Sequence, residues 1–103
     1  MITVTYTKHS ITMSGHAGSA PVGEDLICAA ASTLITALAE TMAKHQDQLS
    51  AYSVKLESGD AHVKVTPTEE FKETCDGAFE TALSGFELLS SLYPAYILLR
   101  SCI

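Results

Sequence analysis

Two reactive side chains stand near the start of this chain. His16 lies in Gly15-His16-Ala17-Gly18, and Cys28 lies in Gly23-Glu24-Asp25-Leu26-Ile27-Cys28-Ala29-Ala30-Ala31-Ser32. A cysteine with a histidine is the smallest side-chain set that can run nucleophilic acyl transfer: the sulfur attacks and the imidazole moves the proton. The glycines around His16 describe a loop that can move and that lets a substrate backbone come close. Cys28 is expected in the first turn of a long helix, where unpaired backbone N–H groups and the helix dipole favour a thiolate and can hold an oxyanion. Glu24 and Asp25 are nearby anions that oppose a thiolate, and a protonated His16 would offset them. The 12-residue step from His16 to Cys28 spans a loop and one helical turn, which permits contact between the two. Each residue also has a plainer reading. A free cysteine in an Ala-rich helix often acts as a small hydrophobe, and a loop histidine is often only solvated.

Bulk composition narrows the setting for this chemistry. The chain has 103 residues, 47% hydrophobic and 17% charged, which describes one foldable globular domain over 1–103 with a modest core. A dimer that buries more apolar surface suits such a size. Six Lys and Arg against twelve Asp and Glu leave a net charge of −6, which argues against nucleic-acid binding and against attachment to an anionic membrane. Three cysteines, at 28, 75 and 102, are odd in number and too widely spaced for a zinc knuckle or a CxxC redox site. A reduced, cytoplasmic setting fits them best. No signal peptide is read at the N-terminus, and no apolar run is read as approaching a membrane span of roughly 20 residues. No metal and no cofactor are expected, because no His, Cys and Asp set has ligand spacing.

The elements that must position His16 and Cys28 follow from periodicity. Ile2, Val4 and Tyr6 alternate with threonines as a strand, and a short second strand runs near Ile11 to Met13. A Gly/Ser/Pro-rich loop, Ser14 to Gly23, leads to a helix starting near Glu24 or Asp25, with Asp25 a candidate N-cap, and ending near Lys44 or His45. Its buried stripe is Ile27, Ala31, Leu34, Ile35, Leu38 and Met42. Tyr52, Val54 and Leu56, then Ala61, Val63 and Val65, read as a hairpin turned by Ser58-Gly59-Asp60, with His62 on its wet face. Thr66-Pro67-Thr68-Glu69 reads as a capping box. The helix it opens carries Phe71, Cys75, Ala78, Phe79, Ala82, Phe86 and Leu89 on one face and ends before Pro94. Tyr96 to Arg100 closes the chain as a strand. The order β-β-α-β-β-α-β implies two helices on an antiparallel or mixed sheet. In this frame Cys75 is core, Cys102 is a thiol near the terminus, His9 lies in a turn and His45 ends a helix.

The residues Gly15-His16-Ala17, then Gly23, Asp25, Ile27-Cys28-Ala29-Ala30 and Ser32, resemble the signature of the ribosomal-processing cysteine protease family, Prp. Length and element order resemble that family over essentially the whole chain, while only residues 15 to 32 are motif-specific. The chain departs from it at Ser19-Ala20-Pro21-Val22, where members often carry a Tyr or an acidic residue. The resemblance implies a small cytoplasmic α+β homodimer with a Cys/His dyad. Such an enzyme removes the N-terminal extension of a large-subunit ribosomal protein precursor, cutting after a short hydrophobic stretch that contains aromatics. It puts the nucleophile on Cys28, the general base on His16 and the flexible glycine on Gly15. Gly18, Gly23, Asp25 and Ser32 become substrate-binding or loop positions. Two other readings stay open: a protease acting on a phage capsid or scaffold protein, and a non-catalytic ribosome-associated binding module in which Cys28 only packs.

Overall fold

The computed structural model describes residues 1–15 and 22–102, with side chains of its first helix described from Leu26 onward. His16 and Gly18 lie outside the described residues, and Gly23 and Asp25 are described by their backbone alone. Two strands, β1 (Ile2–Thr7) and β2 (Ser10–Ser14), form an antiparallel hairpin, and α1 follows over Val22–Lys44. After one 3-10 turn, β3 (Leu49–Glu57) and β4 (Asp60–Pro67) make a second hairpin, and α2 (Lys72–Leu92) and β5 (Ile97–Ser101) complete the chain. The sheet order is β3-β4-β2-β1-β5. Every pairing is antiparallel except that of β5 with β1, so the sheet is mixed, with two helices on one face.

The strand register explains which face the helices cover. Val4 pairs with Met13, Ile11 with Val63 and Ile2 with Ile97, so the apolar alternates of four strands line up on one side. Together with Ala61 and Val65, all are buried. The opposite face is polar and wet: Thr12 pairs across to His62, whose Nε2 lies 2.9 Å from the Ser53 hydroxyl. From α1 the core receives Ile27, Ala31, Ile35, Leu38, Ala39 and Met42, and from α2 Cys75, Phe79, Ala82 and Phe86. Leu34, read as part of the stripe, is only half-buried because it points at the neighbouring helix. A Cβ on Gly85 of α2 would stand 2.6 Å from its Cδ2, so the missing side chain is what lets the helices meet there.

Four expectations need correction. Helix α1 starts at Val22, so Asp25 does not cap it but lies in its first turn, where acidic charge still suits the dipole. Thr66 and Pro67 form no capping box, because pairing with Ala51 and Leu49 holds both as the end of β4. The chain turns only at Thr68, as a 3-10 turn over Glu69–Phe71 with no side-chain cap. Leu26–Lys44 is a 19-residue window of hydropathy 1.6, apolar enough by length and composition to span a membrane. The run escapes notice in the sequence because Ser32 and three threonines interrupt its leucines, isoleucines and alanines; its buried stripe belongs to the core of the sheet. The apolar face of β3 is the fourth: Tyr52, Val54 and Leu56 face the helix side, yet Tyr52 is 36% and Leu56 48% exposed.

The three thiols separate by environment. Cys28 is half-buried, Cys102 exposed and Cys75 fully buried, where desolvation and then the charge of Asp76 push its thiol up to about 11. A raised value means that the Cys75 contribution to stability is present below its ordinary 9.0 and is lost as pH climbs towards about 11. An Ellman titration of the native protein should therefore count Cys28 and Cys102 promptly and Cys75 only after unfolding. Phe86→Ala, at the centre of the core, should cost about 3–5 kcal/mol in a urea melt.

Candidate active site

Cys28 lies on α1 at the seventh helical residue, half-buried against the core. Its position is set by the stripe around it: Ile27 and Ala31 are buried, and Cys28 stands at the edge of that stripe. Helix side chains lean towards the N-terminus, so the sulfur is carried back over the turn that contains Asp25. The unpaired N–H groups of α1 belong to that turn, Val22 to Asp25, and not to Cys28 itself. Dipole stabilisation fades beyond the first turn, so Cys28 receives less of it than a first-turn position would.

A cavity of about 300 Å3 opens beside Cys28. Its wall on α1 continues through Ser32 and Thr36, one and two turns on. Ile2 and Met13 supply an apolar base, and Leu56, Glu57, Ser58 and Gly59 bring in the β3–β4 turn. Gly15 completes the lining. Its N–H donates to the Gly59 carbonyl at 3.0 Å, which ties the end of β2 to that turn. Gly15 has φ +98° and packs against the Met1 carbonyl so closely that no Cβ would fit. Of the residues singled out in the sequence, the structure thus brings together Cys28, Ser32 and Gly15. His16 follows Gly15 in the chain and lies outside the described residues, as does Gly18.

A larger cavity, about 740 Å3, lies at the far end of β1, around the Lys8-His9 turn and α2. Sequence reading placed His9 in a turn and missed what the turn does. His9 Nε2 lies 2.6 Å from Asp76 Oδ1, and its ring meets Phe79 edge-on at 5.9 Å. The hydrogen bond from His9 is the main reason the Asp76 carboxyl is held below its ordinary range; it stays charged, so the imidazole N–H is the donor. Nothing local in the sequence signals this pair, because 67 residues separate its members. It is no hydrolytic site: the adjacent Cys75 is buried and neutral, and the Ser10 hydroxyl pairs with Thr7. Among the described residues no three His, Cys, Asp or Glu side chains gather as metal ligands would.

The comparisons with known proteins bear on the Cys28 cavity. Residues 1–98 match the family model described as cysteine protease Prp. The chain belongs to the Prp family. It is a cysteine protease, and Cys28 lines the cavity that Gly15 also lines. No curated protein sequence matches it. Among solved structures, SMU.848 from Streptococcus mutans is 26% identical, with a TM-score of 0.73 over 98% of this chain and 93% of that one. The ribosomal processing protease Prp from S. aureus, bound to a covalently linked product peptide, is 21% identical, with a TM-score of 0.75 over 98% and 99%. The S. aureus protein with a substrate peptide is 16% identical, with a TM-score of 0.73 over 97% and 96%. These likenesses show a shared fold of two helices on a five-stranded mixed sheet.

Two substitutions separate the two cavities. Gly15→Ala should place a β-carbon against the Met1 carbonyl in a left-handed conformation and lower both the melting temperature and peptidase turnover. Asp76→Asn should lower stability at pH 7 and leave peptidase turnover unchanged. Because the Asp76 value is depressed, its contribution is present above the ordinary 3.8 and is lost as pH falls through the folded value. Urea melts of wild type and Asp76→Asn should therefore converge on acidification.

Proposed function

We propose that residues 1–103 act as one cysteine endopeptidase domain that removes the N-terminal extension of a large-subunit ribosomal protein precursor in the cytoplasm, as a homodimer. Cys28 is the nucleophile and His16 the general base. The observation that carries this reading is that Gly15, the residue immediately before His16, lines the same cavity as the half-buried Cys28. His16 is the next residue in the chain, one α-carbon step of about 3.8 Å from Gly15. The S. aureus relative whose name includes ribosomal processing, with its substrate peptide, supports the choice of substrate.

The chemistry follows from the residues. His16 takes the Cys28 proton, and the thiolate attacks the scissile carbonyl to form a tetrahedral adduct. The unpaired N–H groups of the first turn of α1 lie on the side towards which the Cys28 side chain leans, where they can stabilise the oxyanion. Collapse of the adduct expels the amine, which takes the proton back from His16. Water then hydrolyses the thioester, releasing the new carboxylate and restoring the thiol. Gly18, Gly23 and Asp25 belong to the substrate-binding and loop positions of this reading. Ser32, exposed one turn beyond Cys28, offers its hydroxyl to the peptide backbone.

The test is incubation of the extended ribosomal protein of the same organism with wild type, Cys28→Ala and His16→Ala, read by intact mass. Wild type should release a short N-terminal peptide, and Cys28→Ala, with an unchanged circular dichroism spectrum, should lose ~10⁴-fold or more in rate. Cleavage by Cys28→Ala overturns the nucleophile. An intact substrate after incubation with folded wild type overturns the ribosomal assignment.

A further inference from the structure

The cavity of about 740 Å3 at the Lys8-His9 turn is separate from the one at Cys28, and among the described residues none lines both. The two sit at opposite ends of the β1–β2 hairpin: Ile2, Met13 and Gly15 at Cys28, and Tyr6, His9 and Ile11 at the other end. The floor of the larger one is core. Ile11, Val65 and Phe79 are buried there, with Tyr6 and Leu83 half-buried beside them. Small-molecule sites have this build: a volume of about 300–1,000 Å3, mostly apolar walls, and a few polar groups that fix orientation. The hydrogen bond from His9 to Asp76 holds the turn against α2, so the cavity is formed in advance and filling it orders little of the chain.

Charge decides what kind of molecule fits. Lys8, Lys64, Asp76 and Glu80 contribute to the lining. Asp76 is already answered, by His9 at 2.6 Å and by Lys8 at 3.9 Å. Lys64 is exposed between the buried Val63 and Val65, so its side chain alternates onto the wet face of the sheet. Glu80 is exposed one helical turn after Asp76 and forms no ion pair with the described residues. The charge left to meet a ligand is therefore negative, in a chain of net charge −6. The rings of Tyr6 and Phe79 also favour a cation.

We propose that this cavity is a second binding site, for a small organic amine whose aromatic or aliphatic body lies on Tyr6, Phe79 and Leu83 and whose ammonium meets Glu80. An anion of the same shape would face Glu80, and would reach Lys8 only by drawing it from Asp76. An inorganic cation would leave the apolar walls wet. The site does not depend on the chemistry at Cys28 or on the substrate proposed for it, because an occupant here leaves the thiol cavity open.

The test uses three fluorescent probes with one body and different ends: dansylcadaverine, which carries an amine; dansyl-6-aminohexanoate, which carries a carboxylate; and N-pentyl dansylamide, which is uncharged. Each is titrated onto the full chain at pH 7 and low salt, and binding is read from the rise and blue shift of dansyl emission. The amine should bind about fivefold tighter than the uncharged probe and about tenfold tighter than the carboxylate. Glu80→Gln, an exposed substitution that leaves the core untouched, should bring the amine to the level of the uncharged probe. Leu83→Ser, with an unchanged circular dichroism spectrum, should weaken all three about tenfold. Leu56→Ser, at the Cys28 cavity, should weaken none. Equal affinity for the three probes, indifference to Glu80→Gln, or loss of binding in Leu56→Ser but not in Leu83→Ser overturns the proposal. So does the lack of any emission change with wild type. A wild-type dimer that Leu83→Ser turns into a monomer in sedimentation also overturns it, and gives the cavity to a second copy of the chain.

Discussion

The close approach of α1 to the sheet is the constraint on which the site depends. Ala31 and Ala39 face the core with almost no exposed surface, and small side chains there let the helix backbone settle near β4. From the other side α2 presses Leu34 into the space left by Gly85. A glycine inside a helix costs about 1 kcal/mol of propensity, and here the contact it permits offsets that cost. Held from both sides, α1 cannot slide or roll, and Cys28 is fixed opposite Ile2, Met13 and Gly15. Turning α1 by one residue would rotate the thiol about 100° away from the cavity.

The same packing gives two cysteines opposite fates. Cys75 projects from α2 into the core, where desolvation keeps it a neutral thiol. Cys28 stands at the border of the buried stripe on α1, half in contact with the core and half open to the cavity. Exposure here is a matter of a few ångströms of placement on a helix face. The His9–Asp76 pair shows the complementary case: a histidine beside a carboxylate, with a large cavity at hand, ties the β1–β2 turn to α2, and the neighbouring Cys75 is turned into the core.

Layer geometry accounts for the uncovered β3. Packed helices lie ~8–10 Å apart and strands about 4.8 Å apart, so two helices shelter roughly four strands. With α1 lying against β4 and α2 against β5, the sheltered four are β4, β2, β1 and β5. The fifth strand projects beyond the helix layer with its alternation intact and, among the described residues, no helix above it. An exposed apolar strand face is thus a consequence of having five strands and two helices.

Much of this was set by local pattern. Period-two alternation determined β1, β3 and β4, and the 3.6-residue stripes determined α1 and α2, because burial of one face is written into spacing that any packing must respect. Cys28 and His16 were readable as a candidate pair from residue types alone, and Gly15 announced a backbone that other residues resist. Helix starts were less readable. Thr66 and Pro67 carry a helix-opening pattern, yet cross-strand hydrogen bonding keeps them extended, since a local cap is worth only about 1 kcal/mol against the ladder and the packing behind it. The His9–Asp76 contact, the fit of Leu34 against Gly85, the exposure of Tyr52 and Leu56, and the meeting of Gly15, Ser32 and Leu56 around Cys28 join residues far apart in the chain. Those were decided by the tertiary structure alone, because sheet order and helix placement, which no local spacing encodes, determine which distant surfaces meet.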